Sequence, residues 1–389
     1  MSRSSFRWIL ATMALVGLVA CKPKVREAPV TQQALTPPPQ SPVADGEVRI
    51  QPSAVGATTN LPLLSDIWVC DLNRDSKEDV IGCSDAGLSV FERDEQGVWT
   101  RTDSGVLDGS CHEGLCGEGV FYLATGMARA TPKAPTRVRV YTLEGNKLLE
   151  RGLLEESTGP RNQVTGLALV PGDEGAQDLY ISRFVDQLSN APIRLKGIDP
   201  KNTEEGEAMH MAMRRAWVDI MGDGKYFEVI GRLYGDKPRT DGGVFFRTSS
   251  ALMPVPTMRG VRAMTPWPSG GVLFGDGWHF EYRDKAEGRI NHLQWEQGMP
   301  KVTEIGKFPG QTAVNALSAR QIGEQADGQA RALVVGDTRS WVGRLDEVGW
   351  VFQDLGDTAG EHPAAIIADH AGLGVLVIRA NSIERLPLQ

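Results

Sequence analysis

From residue 71 to residue 79 the chain reads Asp-Leu-Asn-Arg-Asp-Ser-Lys-Glu-Asp, so oxygen side chains recur at Asp71, Asn73, Asp75 and Asp79. Hard Ca²⁺ takes about six to eight oxygens, and alternate residues of a tight loop can turn several of them inward together. The main-chain carbonyl of Lys77 would complete the set between Asp75 and Asp79. An ion held there would staple a hairpin and take no part in a reaction. Without an ion the same residues still favour a turn, because Asp, Asn and Ser bond their own main chain. Ser76 stands where glycine often supplies a positive φ. A weaker copy runs from Asp219 to Glu228, but Met221 offers no hard donor and the last carboxylate comes one residue late. The stretch around Asp173 and Asp178 is weaker still.

Four cysteines follow closely in sequence. Cys70, Cys83, Cys111 and Cys116 form an even set, which in an oxidising compartment implies two disulfides. The least chain closure comes from pairing Cys70 with Cys83 across one hairpin and Cys111 with Cys116 around one short loop. A metal site at Cys111, His112 and Cys116 is the competing use, but adjacent Cys-His ligands suit a tetrahedron poorly. Met209, His210, Met211 and Met213 contain soft-metal donors. In a strand, however, the three methionines share one face, which is the pattern of core packing. Asp276, His279 and Glu281 could suggest acid–base chemistry, but Asp276-Gly277 reads as a hairpin turn, and His279 and Glu281 as a polar pair on the face opposite Trp278, Phe280 and Tyr282. The motifs GxSxG, HExxH, GxxxxGK[ST] and a strand-linked GxGxxG do not occur.

The first residues carry an address. Arg3 and Arg7 precede a short apolar run from Trp8 to Ala20, which is too short to span a bilayer and reads as a secretory signal. It ends Leu18-Val19-Ala20-Cys21, which resembles a bacterial lipobox. That resemblance implies cleavage before Cys21, lipid on Cys21 and, with Lys22 next, the outer membrane. Losing the two arginines with the leader takes the net charge from −8 to −10. Residues 21–45 are rich in Pro, Gln, Ala and Thr without apolar periodicity, so an extended, disordered tether is expected before a body at 46–389. A net charge of −8 also argues against nucleic acid, whose phosphates need dense Lys and Arg.

What positions these residues is a repeat. Glycine numbers 44 among 389 residues, with 23 prolines, so turns are frequent and strands short. An apolar strand, an Asp/Gly turn, a second apolar strand and a charged hairpin recur from near residues 66, 119, 163, 214, 260, 313 and 363. Even spacing of this kind favours an all-β, seven-bladed β-propeller. The last copy is one strand short, and residues 48–51 form a strand with no blade of their own. That N-terminal strand is expected to complete the last blade and close the ring. Residues 199–213 carry helix signals and predict a short helical insertion.

The pattern DxNxDxxxDVI at residues 71–81 resembles the FG-GAP/VCBS repeats of integrin-α-like bacterial propellers. This resemblance implies a lipid-anchored binding or scaffold protein at the cell envelope, with structural Ca²⁺ and a protein or glycan partner. Two alternatives stand beside it. The segment VVGDTRSWVGRLDEVGW (334–350) looks like part of the propeller scaffold lipoprotein of outer-membrane protein assembly. A polysaccharide hydrolase or lyase would instead need paired carboxylates lining the central channel.

Overall fold

The computed structural model describes residues 48–50, 64–84, 87–93, 99–126, 134–158, 163–172, 175–186, 189–219, 224–233, 243–247, 251–255, 260–276, 288–297, 299–322, 330–347, 349–357, 362–369, 372–379 and 382–388. The leader, the tether and Cys21 lie outside them.

Each repeat forms one antiparallel sheet, and there are seven sheets. The innermost strands, in blade order, are Leu64–Cys70, Ser110–Gly117, Val164–Pro171, Ala212–Val218, Val261–Pro266, Ala316–Gln321 and His362–Asp369. The inner strands touch in succession from blade 1 to blade 6. The inner strand of blade 7 packs on the second strand of blade 6, Ala330–Val335, and also touches the inner strand of blade 1, so the sheets form a closed ring. This is the seven-bladed β-propeller. The strand Val48–Ile50 pairs with Ser382–Pro387 as the outermost strand of blade 7, as the missing strand of the last repeat requires. Blade 2 begins at Ser110 and not near residue 119, because Ser110–Gly117 is itself the inner strand. Its polar, cysteine-containing sequence hides the apolar alternation on which the repeat is recognised.

Residues of alternate parity on each sheet pack against opposite neighbours. Between blades 1 and 2 lie Cys70, Ile81, Cys83, Phe121 and Leu123, with Trp68 against them. Between blades 7 and 1 lie Ile67, Val80, Leu376 and Ile378. Burial of such side chains is the main force on the ring, at about 25 cal/mol per Å² of apolar surface. The seam between blades 3 and 4 is different. There Arg215, fully buried at its side chain, pairs with Glu228 and donates to Asn190, while Thr165, Ser182 and Asn190 form a buried hydrogen-bonded cluster. Arg247 completes the neutralisation of Glu228 at 2.8 Å.

Two expectations are corrected. Residues 199–213 hold no helical insertion. They supply the short strands Thr203–Glu205 and Met209–His210, both paired with the third strand of blade 3, Ser189–Leu195. Backbone pairing at an open sheet edge outweighs the local helix signals. Met209 and Met211 are buried as core residues, with Met211 at a φ of 55° where the chain turns into blade 4.

The disulfides are Cys70–Cys116 and Cys83–Cys111, so both join blade 1 to blade 2. Neither local pairing forms. In the hairpin, Cys70 sits opposite Asp79 and Cys83 opposite Asp66, an offset of four residues, or about 13 Å along the strands. A disulfide needs its Cα atoms within about 7 Å. Cys111 and Cys116, expected to flank a loop, lie on one extended strand. An odd separation would normally send them to opposite faces. A β-bulge between Cys111 and Glu113 shifts the alternation by one residue, so both reach blade 1.

Candidate functional site

The loop from Asp71 to Glu78 joins the first two strands of blade 1. Asp71 Oδ1 accepts from the Asp75 amide at 3.1 Å and Oδ2 from the Ser76 amide at 3.0 Å. Asn73 Oδ1 also accepts from Asp75, and Asp75 Oδ1 accepts from the Lys77 amide at 2.8 Å. Arg74 and Ser76 take φ values of 58° and 65°, which is how the turn is made without glycine. Asp79 opens the next strand, is buried, and accepts from the Leu72 amide at 2.8 Å. Burial, with the charges of Asp75 and Asp71 adding to it, pushes its carboxyl up to about 6. The donors are all oxygens, as Ca²⁺ requires, but their lone pairs here serve main-chain amides. Among the described residues no three His, Cys, Asp or Glu side chains converge as a metal group.

The weaker copies are spent differently. Glu228 is neutralised by Arg215 and Arg247, and Asp178 by Arg194 at 2.5 Å together with the Gly197 amide. Asp219 accepts from the Gly224 amide at 2.7 Å, while Met221, Asp223, Asp173, His279 and Glu281 lie outside the described residues. Each copy therefore ends on a carboxylate at the start of its blade's second strand, and only Asp79 lacks a cation among the described residues.

A second polar centre faces the channel. In six of the seven inner strands the register shifts at the same place, near the start: between Leu64 and Asp66, Cys111 and Glu113, Val164 and Gly166, Ala212 and Arg214, Val261 and Ala263, and Pro363 and Ala365. Bulges re-aim side chains, and here they bring charged residues of different blades to one level. Arg214 of blade 4 reaches Glu113 of blade 2 at 2.5 Å and donates on the way to the carbonyls of Thr165 and Arg262, on blades 3 and 5. Arg262 in turn donates to Asn315 Oδ1 at 3.0 Å. Asp66 of blade 1 lies within the field of both Glu113 and Arg214 and accepts from the Ile67 amide at 3.0 Å. Burial first, and Glu113 second, push its carboxyl up to about 7, against a smaller opposing pull from Arg214. A carboxyl poised near neutrality beside a second carboxylate and an arginine can give or take a proton.

Sequence reading missed Asp66, Glu113 and Arg214, since they lie on three repeats at no fixed spacing. The usable signal is positional, a charged residue near the start of the inner strand in blades 1, 2, 4 and 5.

At the opposite end of the inner strands, Glu78 of the first loop accepts from Arg320 of blade 6 and from the Ala368 amide of blade 7 at 2.7 Å. This clasp ties the first loop to the last two blades. Beside that loop, a cleft of about 500 Å³ is lined by Asp71, Arg74, Cys116, Gly117, Glu118 and Gly119 among others.

No family model matches the chain, and no curated protein matches it. Solved structures do. It is similar to virginiamycin B lyase from Staphylococcus aureus, with a TM-score of 0.52 and 14% identity over 88% of this chain and 98% of that one. It is similar also to the extracellular domain of a one-component system from B. thetaiotaomicron, with a TM-score of 0.51 and 11% identity over 88% of this chain. The chain spans 40% of the length of that second protein. At these identities the likeness is one of fold, and the fold is the seven-bladed β-propeller.

Proposed function

We propose that this protein is a lipid-anchored binding or scaffold propeller of the cell envelope, presenting its rigid ring to a protein or glycan partner. The observation that carries this reading is the pair of inter-blade disulfides, which consume all four cysteines of the body. Such bonds persist in oxidising compartments and are rare in the cytosol, in keeping with the secretory leader and the lipobox-like Cys21. The FG-GAP/VCBS-like loop belongs to the same reading, with Ca²⁺ held by Asp71, Asn73, Asp75, the Lys77 carbonyl and Asp79. For this the side chains would exchange main-chain amides for the ion, which would supply the positive charge that Asp79 lacks. Fractionation tests the anchor. Wild type is expected in the outer membrane and Cys21→Ser in the soluble fraction; equal distribution of the two would refute the lipid attachment.

A second reading is favoured by the channel. A hydrolase or lyase acting on polysaccharide needs an acid and a base from the ring wall, and Asp66 with Glu113 has that composition. In this reading Asp66 holds or delivers the proton, Glu113 is the paired carboxylate, and Arg214 fixes Glu113. Activity on a panel of acidic and neutral polysaccharides should vanish in Glu113→Gln while the fold is kept. Activity unchanged by that substitution would exclude the channel as the active centre.

A further inference from the structure

The two disulfides that join blades 1 and 2 differ in their access to solvent. In Cys83–Cys111, Cys83 is 1% exposed and Cys111 is half-buried in the apolar seam. In Cys70–Cys116, Cys70 is 3% exposed but Cys116 is exposed and forms part of the wall of the 500 Å³ cleft. Gly117 and Gly119 line the cleft with it, together with Arg74, Glu118, Leu169 and Gln177. Thiol–disulfide exchange requires a thiolate to approach one sulfur on the side opposite the leaving sulfur. Cys70 is buried and Cys116 is exposed on the cleft wall, so Cys116 is the sulfur of this pair that a thiolate can reach.

The cleft also has a charge pattern. Arg74 donates to the Glu118 carbonyl at 2.7 Å and lies 3.9 Å from its carboxylate. At that longer distance the guanidinium keeps attraction for a further anion, while the exposed Glu118 carboxylate offers an acceptor to an ammonium. A small thiol carrying both carboxylate and ammonium groups matches this arrangement, and a tripeptide thiol is of a size that such a cleft admits.

We propose that Cys116 is a site of thiol–disulfide exchange that takes a small, carboxylate-bearing thiol. The thiolate forms a new S–S bond to Cys116 Sγ. The Cys70–Cys116 bond breaks with its electron pair on Cys70 Sγ, which takes up a proton. One disulfide is exchanged for another, so no external oxidant or reductant is consumed. The product has a mixed disulfide in the cleft and a free Cys70 directly before Asp71. The first loop then loses its covalent tie to blade 2, while Cys83–Cys111 still holds the blades together.

The test uses the folded full-length protein, incubated with reduced glutathione at pH 8, quenched with an alkylating agent and mapped by peptide mass spectrometry. The expected result is glutathione on Cys116, alkylated Cys70 and an intact Cys83–Cys111. Adducts on Cys83 or Cys111 first, simultaneous loss of both disulfides, or reaction only after denaturation would each overturn the proposal. The Arg74→Ala variant should slow the reaction with glutathione by about threefold, the scale of an exposed ion pair, without slowing that with cysteamine, which has no carboxylate. Equal slowing with both thiols would remove the carboxylate preference. The Cys83→Ala/Cys111→Ala variant should still form the Cys116 adduct, and failure to do so while folded would count against the site.

Discussion

Asp66 illustrates how a single side chain acquires a property that its type does not predict. An aspartate ordinarily titrates near 3.9, but burial and Glu113 raise Asp66 to about 7. Because the folded protein holds this proton more tightly than the unfolded chain, the group contributes stability that is fully present below the unfolded pKa. That contribution is lost as pH rises through about 7. Asp79, raised to about 6, acts in the same direction over a window that closes earlier. The Asp66→Asn variant should therefore resemble wild type in stability at pH 4. At pH 8 it should exceed wild type by about 1–2 kcal/mol, after discounting for the partial exposure of Asp66. Urea denaturation at the two pH values measures this, and an advantage for the variant that does not grow with pH would refute the assignment.

The element scale is where sequence and structure agree in part. Alternating apolar residues and Asp/Gly turns made most strands legible, including Asp79–Ser84 and the terminal partner strand Val48–Ile50. The disulfide pairing was not legible, because a bulge near His112 changes which face Cys111 occupies and no local spacing records a bulge. The channel residues were hidden for the same reason, since contact across a ring depends on closure and not on neighbours in sequence. Helix signals at 199–213 lost to strand pairing at the edge of blade 3. At the first loop the residue pattern was legible, because Asp71, Asn73 and Asp75 bond the main chain within a few residues of themselves. Added Ca²⁺ should raise the Tm of wild type and leave Asp75→Ala unchanged, following ligand linkage. An equal shift in both proteins would mean that the loop is a hydrogen-bonded turn alone.

For the whole molecule, closure rests on three devices of different chemistry. They are the paired strand Val48–Ile50 in blade 7, the Glu78 clasp to blades 6 and 7, and the two disulfides between blades 1 and 2. The disulfides and the clasp both reach blade 1, so this blade is fixed on both flanks. Removing residues 46–51 exposes the outer edge of Ser382–Pro387 as an unpaired strand. The truncated protein should melt about 5 °C lower, the scale expected for losing a short strand from a domain this large, and should self-associate more at high concentration. Calorimetry and light scattering together test this; an unchanged Tm would show that the clasp and the disulfides suffice without the strand.

Having the first strand of the body complete the last blade also sets a timetable. The ribosome makes Val48–Ile50 more than three hundred residues before Ser382–Pro387 exists to receive it. Throughout synthesis and any passage across a membrane, the circle therefore stays an open arc with one waiting end. A chain stopped before Ser382 leaves that first strand without its partner and the arc unshut.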